Sequence, residues 1–255
     1  MTGTVTDLYR YPVKSMQGQR TQDLEVGTVR IAGDRSWGLV DVETGRLASA
    51  KRFRRLFEAT GGDGTATLPD GTTVDLTGTD AEDALSAWLG RSVRVVRADD
   101  AGDLSYQMTF DPPNDDAEMF DIPVPAGTLL DLAAVHLVSS ATLAHCAAER
   151  PDLDWDVRRF RPNVVLDVDA DVAPFAENEW SGRTLRIGDE VVLSVMGPTV
   201  RCAMPLRAQP GGLERQPELT AALNELNVVS PNHLGVYLTV EQPGTVRVGD
   251  AATLV

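Results

Sequence analysis

Short segments of alternating apolar and polar residues, each closed by turn residues, recur along this chain and limit its fold more than any single motif does. TVTDLYRY, LEVGTVRIAG, SWGLVDV, TATLPDG and TVDLTG follow one another in the first third, and SVRVVRA, NVVLDV, TLRIG, EVVLSVM, HLGVYLTV and TVRVG continue the pattern. Segments of roughly four to eight residues at this spacing suit strands and are too short for most helices, so the expected class is mainly β, an antiparallel sheet or barrel. A chain of 255 residues exceeds what one core usually fills, which favours two cores.

Three short helices are expected to interrupt the strands. The first spans Asp80 to Leu89, where Thr79 and Glu82 have capping-box spacing, Leu85, Trp88 and Leu89 form a stripe, and Gly90 ends the run. A second begins near Ser139 or Ser140, runs through ATLAHCAAE and stops before Pro151; a third covers Pro217 to Leu226. From Asp99 to about Pro125 the pattern dissolves into Asp- and Pro-rich sequence, expected to be a domain boundary or a long surface loop. The expected division is therefore residues 1–98 and residues 99–255.

A net charge of -15 argues against nucleic acid and anionic membrane surfaces as partners. No apolar run is long enough to span a bilayer, and MTGTVTDLYRYPVKS lacks the apolar core of a signal peptide, so a cytoplasmic location is expected. Cys146 and Cys202 are the only cysteines and are not at CxxC spacing, which fits free thiols in a reducing compartment.

Against that acidic background the cations stand out: Lys14, Arg35, KRFRR at Lys51 to Arg55, RRFRPN at Arg158 to Asn163, and Arg201. Such clusters at strand ends suit an anionic small ligand, although Arg54, Arg55 and Arg158 read better as solvated faces. In YPVKSMQG, Lys14 and Ser15 offer a cation and a hydroxyl in a turn, a pair suited to phosphate or carboxylate but also compatible with an ordinary turn. Pro162 restricts the backbone beside Arg161, and Asn163 adds a directional amide as a strand begins.

Cys202 sits in MGPTVRCAMP, an irregular connection between Pro198 and Pro205. As a thiolate it would bind a soft metal or attack an electrophile; as a thiol it could equally be a buried, inert residue. Cys146 shares a helical face with Leu143 and Ala147 and reads as a core thiol. Phosphate-loop, GxGxxG and GxSxG motifs are absent, and His136, His145 and His233 lack zinc spacing. Asp167, Asp169 and Asp171 alternate at what reads as an exposed strand end.

Taken in order, YPVKS, GDRSWGLVD, HLVSSATL, RRFRPNVVLD, VRC and HLGVYLTVEQPGTVRVGD resemble the MOSC family, in its two-part form that includes the mitochondrial amidoxime-reducing component and bacterial relatives. The resemblance spans nearly the whole chain and implies an N-terminal MOSC-type β-barrel domain followed by a C-terminal MOSC β-barrel domain. It implies a molybdenum cofactor of the molybdopterin type, with Cys202 as metal ligand and catalytic residue. It further implies cofactor contacts from Lys14, Ser15 and Arg35 on the phosphate side, from Ser139 and Thr142 in the SxxS-like segment, and from Arg161 and Asn163 of the RPN motif. The activity implied is reduction of small N-oxygenated substrates, N-hydroxylated compounds or N-oxides; the alternative is a non-catalytic carrier of the cofactor or of sulfur. No ferredoxin-like cysteine cluster is present, so a separate electron-donor protein is expected. Lys51 stands where an arginine would be expected, and AMPLRAQPGGLERQPEL after Cys202 departs from the family pattern, which leaves the role of Lys51 and the substrate range open.

Overall fold

Residues 1–255 are described by a computed structural model. Strands Val164–Val168, Val135–Ser139, His233–Gln242, Val191–Val200, Thr184–Ile187, Ala251–Leu254 and Thr2–Arg10 pair in that order, and Thr2–Arg10 returns to Val164–Val168 to close a barrel. Beyond the closed ring, the end of Thr2–Arg10 also pairs with Gln19–Thr21. One pair of barrel strands, Val135–Ser139 with Val164–Val168, is parallel. Parallel neighbours need a crossover connection, and the helix Ser140–Glu149 lies within it.

The first strand therefore belongs to the barrel built by the last half of the chain. Val5, Leu8, Leu24, Val26 and Ile31 share one core of 22 buried residues with Leu137, Leu166, Leu193 and Leu238. A second core of 16 residues gathers Val13, Met16, Leu56, Phe57 and Leu85, with Met204 from the distant C-terminal half. The division at residues 98 and 99 is thus proposed as one of sequence units only, since a cut there removes the strand that closes the barrel.

The first helix spans Ala81–Leu89, and Gly90 ends it in the left-handed conformation at φ 66°. The expected capping box does not form, because the Glu82 carboxylate accepts the Val95 backbone N–H of the following strand instead, at 2.9 Å. The second helix is Ser140–Glu149, and Ser139 at its cap position makes no capping bond; the Ser140 hydroxyl donates to Asp167 at 2.7 Å. The third is Leu219–Leu226.

The segment expected to be irregular contains a hairpin, Ser105–Met108 paired with Phe120–Pro123. Its strands are only four residues long, and the Asp- and Pro-rich connection between them hides their alternation. Tyr106 anchors the hairpin by packing with Val40, Leu47 and Leu129. No helix is long and apolar enough to cross a membrane.

Candidate functional site

A cavity open to solvent is lined by Lys14, Ser15, Arg35, Arg161, Asn163 and Cys202, among others. These six were expected from sequence, and they come from four separate stretches of chain. Three of them, Ser15, Arg35 and Arg161, have positive φ values of 68°, 44° and 54°. Left-handed backbone is unfavourable by roughly 1 kcal/mol or more for a residue with a Cβ, and it persists where surrounding structure enforces it.

Asp34, fully buried, supplies part of that enforcement. Its Oδ1 accepts the Tyr11 backbone N–H at 2.7 Å, and its Oδ2 holds the Arg35 guanidinium. Arg35 and Arg161 both lie over the Tyr11 ring, at 4.6 and 4.1 Å from its centroid. The two arginines differ in one respect. Arg35 has its carboxylate, whereas Arg161, only 6% exposed, has none, and its Nη1 is buried without a hydrogen-bond partner. Burial, reinforced by the Arg35 charge, lowers the Arg161 pKa to about 10.

On another wall, Asp131 receives two ammonium groups. Lys14 Nζ donates to its Oδ1 at 2.6 Å and Lys51 Nζ to its Oδ2 at 2.8 Å. One carboxylate cannot neutralise two cations. Burial brings Lys14 down to about 8 against the pull of Asp131; for Lys51 the burial effect is outweighed by Asp131 and by Cys202, which hold it above the lysine range. The Tyr106 ring lies 5.1 Å from Lys14 Nζ and 3.9 Å from Lys51 Nζ. Lys51 is thereby drawn into the site through Asp131, a residue that no sequence signal marked.

His136, also unmarked, joins the arginines. Its Nε2 lies 3.3 Å from Arg201 Nη1 and its Nδ1 3.4 Å from the Arg161 carbonyl. A guanidinium can only donate and a carbonyl can only accept, so the ring is neutral with its proton on Nδ1. Burial and the Arg201 charge keep its pKa well below the histidine range. Its sequence setting, AVHLVSS, reads simply as strand.

Cys202 is half-buried and follows the barrel strand that ends at Val200. The chain before it is held by reciprocal bonds of 2.8 Å, Arg201 N–H to the Asn232 carbonyl and Asn232 Nδ2 to the Arg201 carbonyl. The chain after it is pinned by Arg159, fully buried, which donates to the carbonyls of Pro205, Arg207 and Glu214. The thiol thus sits at the cavity on a fixed backbone, neither sealed in the core nor loose on the surface.

Asn163, Ser139 and Thr142 are placed differently from the other expected residues. Asn163 lines the cavity, but its side chain serves the backbone: Oδ1 accepts the His136 N–H at 3.2 Å and Nδ2 donates to the Tyr9 carbonyl at 3.2 Å. It ties three barrel strands together beside Arg161. Ser139 and Thr142 do not reach the cavity lining at all. Ser139 ends the strand that begins near His136, and the extended chain carries it about 10 Å further along. Thr142 donates to Glu177 Oε2 at 2.9 Å and accepts the Phe175 N–H at 2.9 Å.

Glu177 is 1% exposed, and its Oε1 has no partner. Burial pushes its carboxyl up to about 7. The folded state therefore keeps a proton that the unfolded chain releases at lower pH, and stability falls as pH rises from the ordinary glutamate range to about 7. Glu177→Gln is expected to gain roughly 2–3 kcal/mol relative to the parent protein between about pH 5 and pH 8, read by urea denaturation at both. A difference that did not change with pH would contradict this assignment. Cys146 lies in the same core, its thiol pushed up to about 12 by burial and by Glu177, as expected of a packed residue.

The remaining charges read as expected. Arg54 and Arg55 side chains are 52% exposed and Arg158 is 42% exposed. Asp169 accepts from Thr2 and Asp167 from Ser140, both at the surface.

The closed barrel and its cation-lined cavity are those of a protein of the MOSC family, to which the chain belongs. The MOSC domain model matches residues 126–253, and the MOSC N-terminal beta barrel domain model matches residues 2–62. Among individual relatives, it is similar to mitochondrial amidoxime-reducing component 1 of Homo sapiens, at 25% identity over 99% of this chain and 83% of that one. It is 24% identical to mitochondrial amidoxime reducing component 2 of Rattus norvegicus, over 97% and 82% of the two chains. Among solved structures, the YUAD protein from Bacillus subtilis aligns with a TM-score of 0.46 at 12% identity, over 100% of this chain and 96% of that one.

Proposed function

We propose that this chain binds a molybdenum cofactor of the molybdopterin type and reduces N-oxygenated compounds, with electrons from a separate donor protein. The observation that carries the reading is the buried Arg161 guanidinium, which has no carboxylate partner and whose Nη1 lacks a hydrogen bond, in the same cavity as the half-buried Cys202 thiol. A buried unpaired cation is unfavourable unless an anion completes it, and a thiolate suits a soft metal. The donor set thus fits a ligand that carries both a phosphate and a metal. The names of the relatives, amidoxime-reducing components, support the substrate class.

Such a cofactor, when bound, supplies the two-electron, oxygen-atom chemistry. The chain's own groups anchor and tune it. Lys14, Arg35 and Arg161 provide positive charge for the phosphate, the Ser15 hydroxyl provides a further donor, and the Cys202 thiolate provides the protein ligand to the metal. Asn163 holds the strands that present Arg161, and Asp131 holds Lys14 and Lys51 in register. In the overall reaction an N-hydroxyl compound, two electrons and two protons give the reduced amine function and water.

The test is molybdenum and pterin content of protein purified from a cofactor-competent host, followed by reduction of benzamidoxime with reduced methyl viologen as donor. Near-stoichiometric metal with turnover is expected. A loaded protein inert toward amidoximes, hydroxylamines and N-oxides would support a carrier of the cofactor or of sulfur instead, and a protein that takes up no molybdenum would overturn the proposal.

A further inference from the structure

Away from that cavity, three arginines converge on one carboxylate. Arg54 Nη2 lies 2.8 Å from Asp115 Oδ1, Arg207 Nη1 bonds the same oxygen, and Arg215 Nη2 lies 3.1 Å from Oδ2. The cluster borders an open hollow that Gln209 also lines. Glu58, the other carboxylate there, is 3.7 Å from Arg55. One carboxylate against three guanidiniums leaves an excess of positive charge on a chain whose net charge is -15.

Behind the lining of the hollow lie two donors that nothing in the protein satisfies. Arg207 and Gln209 are each 6% exposed, yet Arg207 Nε and Gln209 Nε2 have no hydrogen-bond partner. The Gln209 carbonyl oxygen is already engaged, accepting from Gln17 at 3.3 Å, so the free amide nitrogen faces a shortage of acceptors. Buried donors without acceptors are unfavourable.

We propose that Arg54, Arg207, Gln209 and Arg215 form a second anion site, for a small ligand carrying two or more charged oxygens, in which Asp115 is the built-in occupant. Forked guanidinium donors match the oxygens of carboxylate and phosphate groups. Asp115 lies on the connection between Ser105–Met108 and Phe120–Pro123, so an incoming anion displaces the tip of this hairpin rather than a core element. Arg207 also donates to the Lys51 carbonyl at 3.3 Å, and Tyr106 of the same hairpin lies over Lys14 and Lys51. The second site is therefore linked physically to the first, but it stands whether or not a cofactor binds there.

The experiment is calorimetric titration of the full chain, in low-salt buffer, with inorganic phosphate, pyrophosphate and succinate. Asp115→Asn removes the internal competitor and is expected to tighten anion binding about tenfold; the Arg54→Ala, Arg215→Ala double variant is expected to weaken it at least about tenfold. Both arginine side chains are largely exposed, so the double variant keeps the fold even if the Asp115 variant does not. Tighter binding of pyrophosphate than of succinate assigns a phosphate ligand, and the reverse a dicarboxylate. Amide exchange across residues 109–119 is expected to quicken when the anion is added. Affinity unaltered by the double variant, no binding of any of the three anions, or loss of all binding in Arg161→Met, which leaves only the first cavity as the binding place, would each overturn the proposal.

Discussion

Cys202→Ala is expected to yield a folded protein that retains almost no molybdenum and no measurable amidoxime reduction. Removing a residue that merely supports a metal ligand usually reduces affinity or activity by about 10–100-fold, so removing the ligand itself is expected to exceed about 100-fold. The half-buried position of Cys202 at the edge of the second core means that little packing is lost with it. Cys146→Ala should behave in the opposite way: metal content and turnover stay normal, while stability drops by about 1–2 kcal/mol, because this side chain is fully buried. Metal analysis and thermal unfolding of both variants separate the roles. Full molybdenum content in Cys202→Ala would end the assignment of this thiol as ligand.

Arg161→Met is expected to make the cofactor-free protein more stable and the cofactor harder to hold. The buried guanidinium has no counterion, and an apolar side chain of similar length avoids that desolvation, a gain of about 1–3 kcal/mol. Both side chains sit on the same left-handed backbone, φ 54°, so the comparison is free of a change in backbone strain. Losing one charge-assisted bond to a phosphate should lower cofactor retention by roughly 10–100-fold. Urea denaturation of the empty protein and molybdenum content after expression measure the two effects. A variant that was less stable when empty and yet fully loaded would show that Arg161 supports packing rather than an anion. This opposition of stability and binding is typical of a site whose charge is completed only by its ligand.

The strands were legible because their alternation survives in short stretches, and the stop signals at Gly90 and Pro151 marked two helix ends. The capping box at Thr79 and Glu82 was misread, since a carboxylate near a helix start can equally serve a neighbouring strand, and Glu82 bonds Val95. Ser139 and Thr142, which the resemblance ties to the cofactor through a short segment, lie outside the cavity lining, Ser139 further along its strand and Thr142 bonded to Glu177. Asp131, His136 and the pairing of Lys51 left no trace in the sequence. Lys14 and Lys51 lie 117 and 80 residues from Asp131, and Arg201 lies 65 from His136, and nothing local distinguishes these residues from ordinary strand or loop residues.

The sequence by itself determined the β-rich class, the packed state of Cys146, and the set of cations and the thiol from which a site could be built, because periodicity, turn residues and side-chain chemistry are local properties. Only the tertiary structure decided that the first strand closes the C-terminal barrel, that Arg35 has a carboxylate while Arg161 lacks one, and that two lysines share Asp131. Charge compensation and burial depend on which distant side chains meet, and that is settled when the barrel closes.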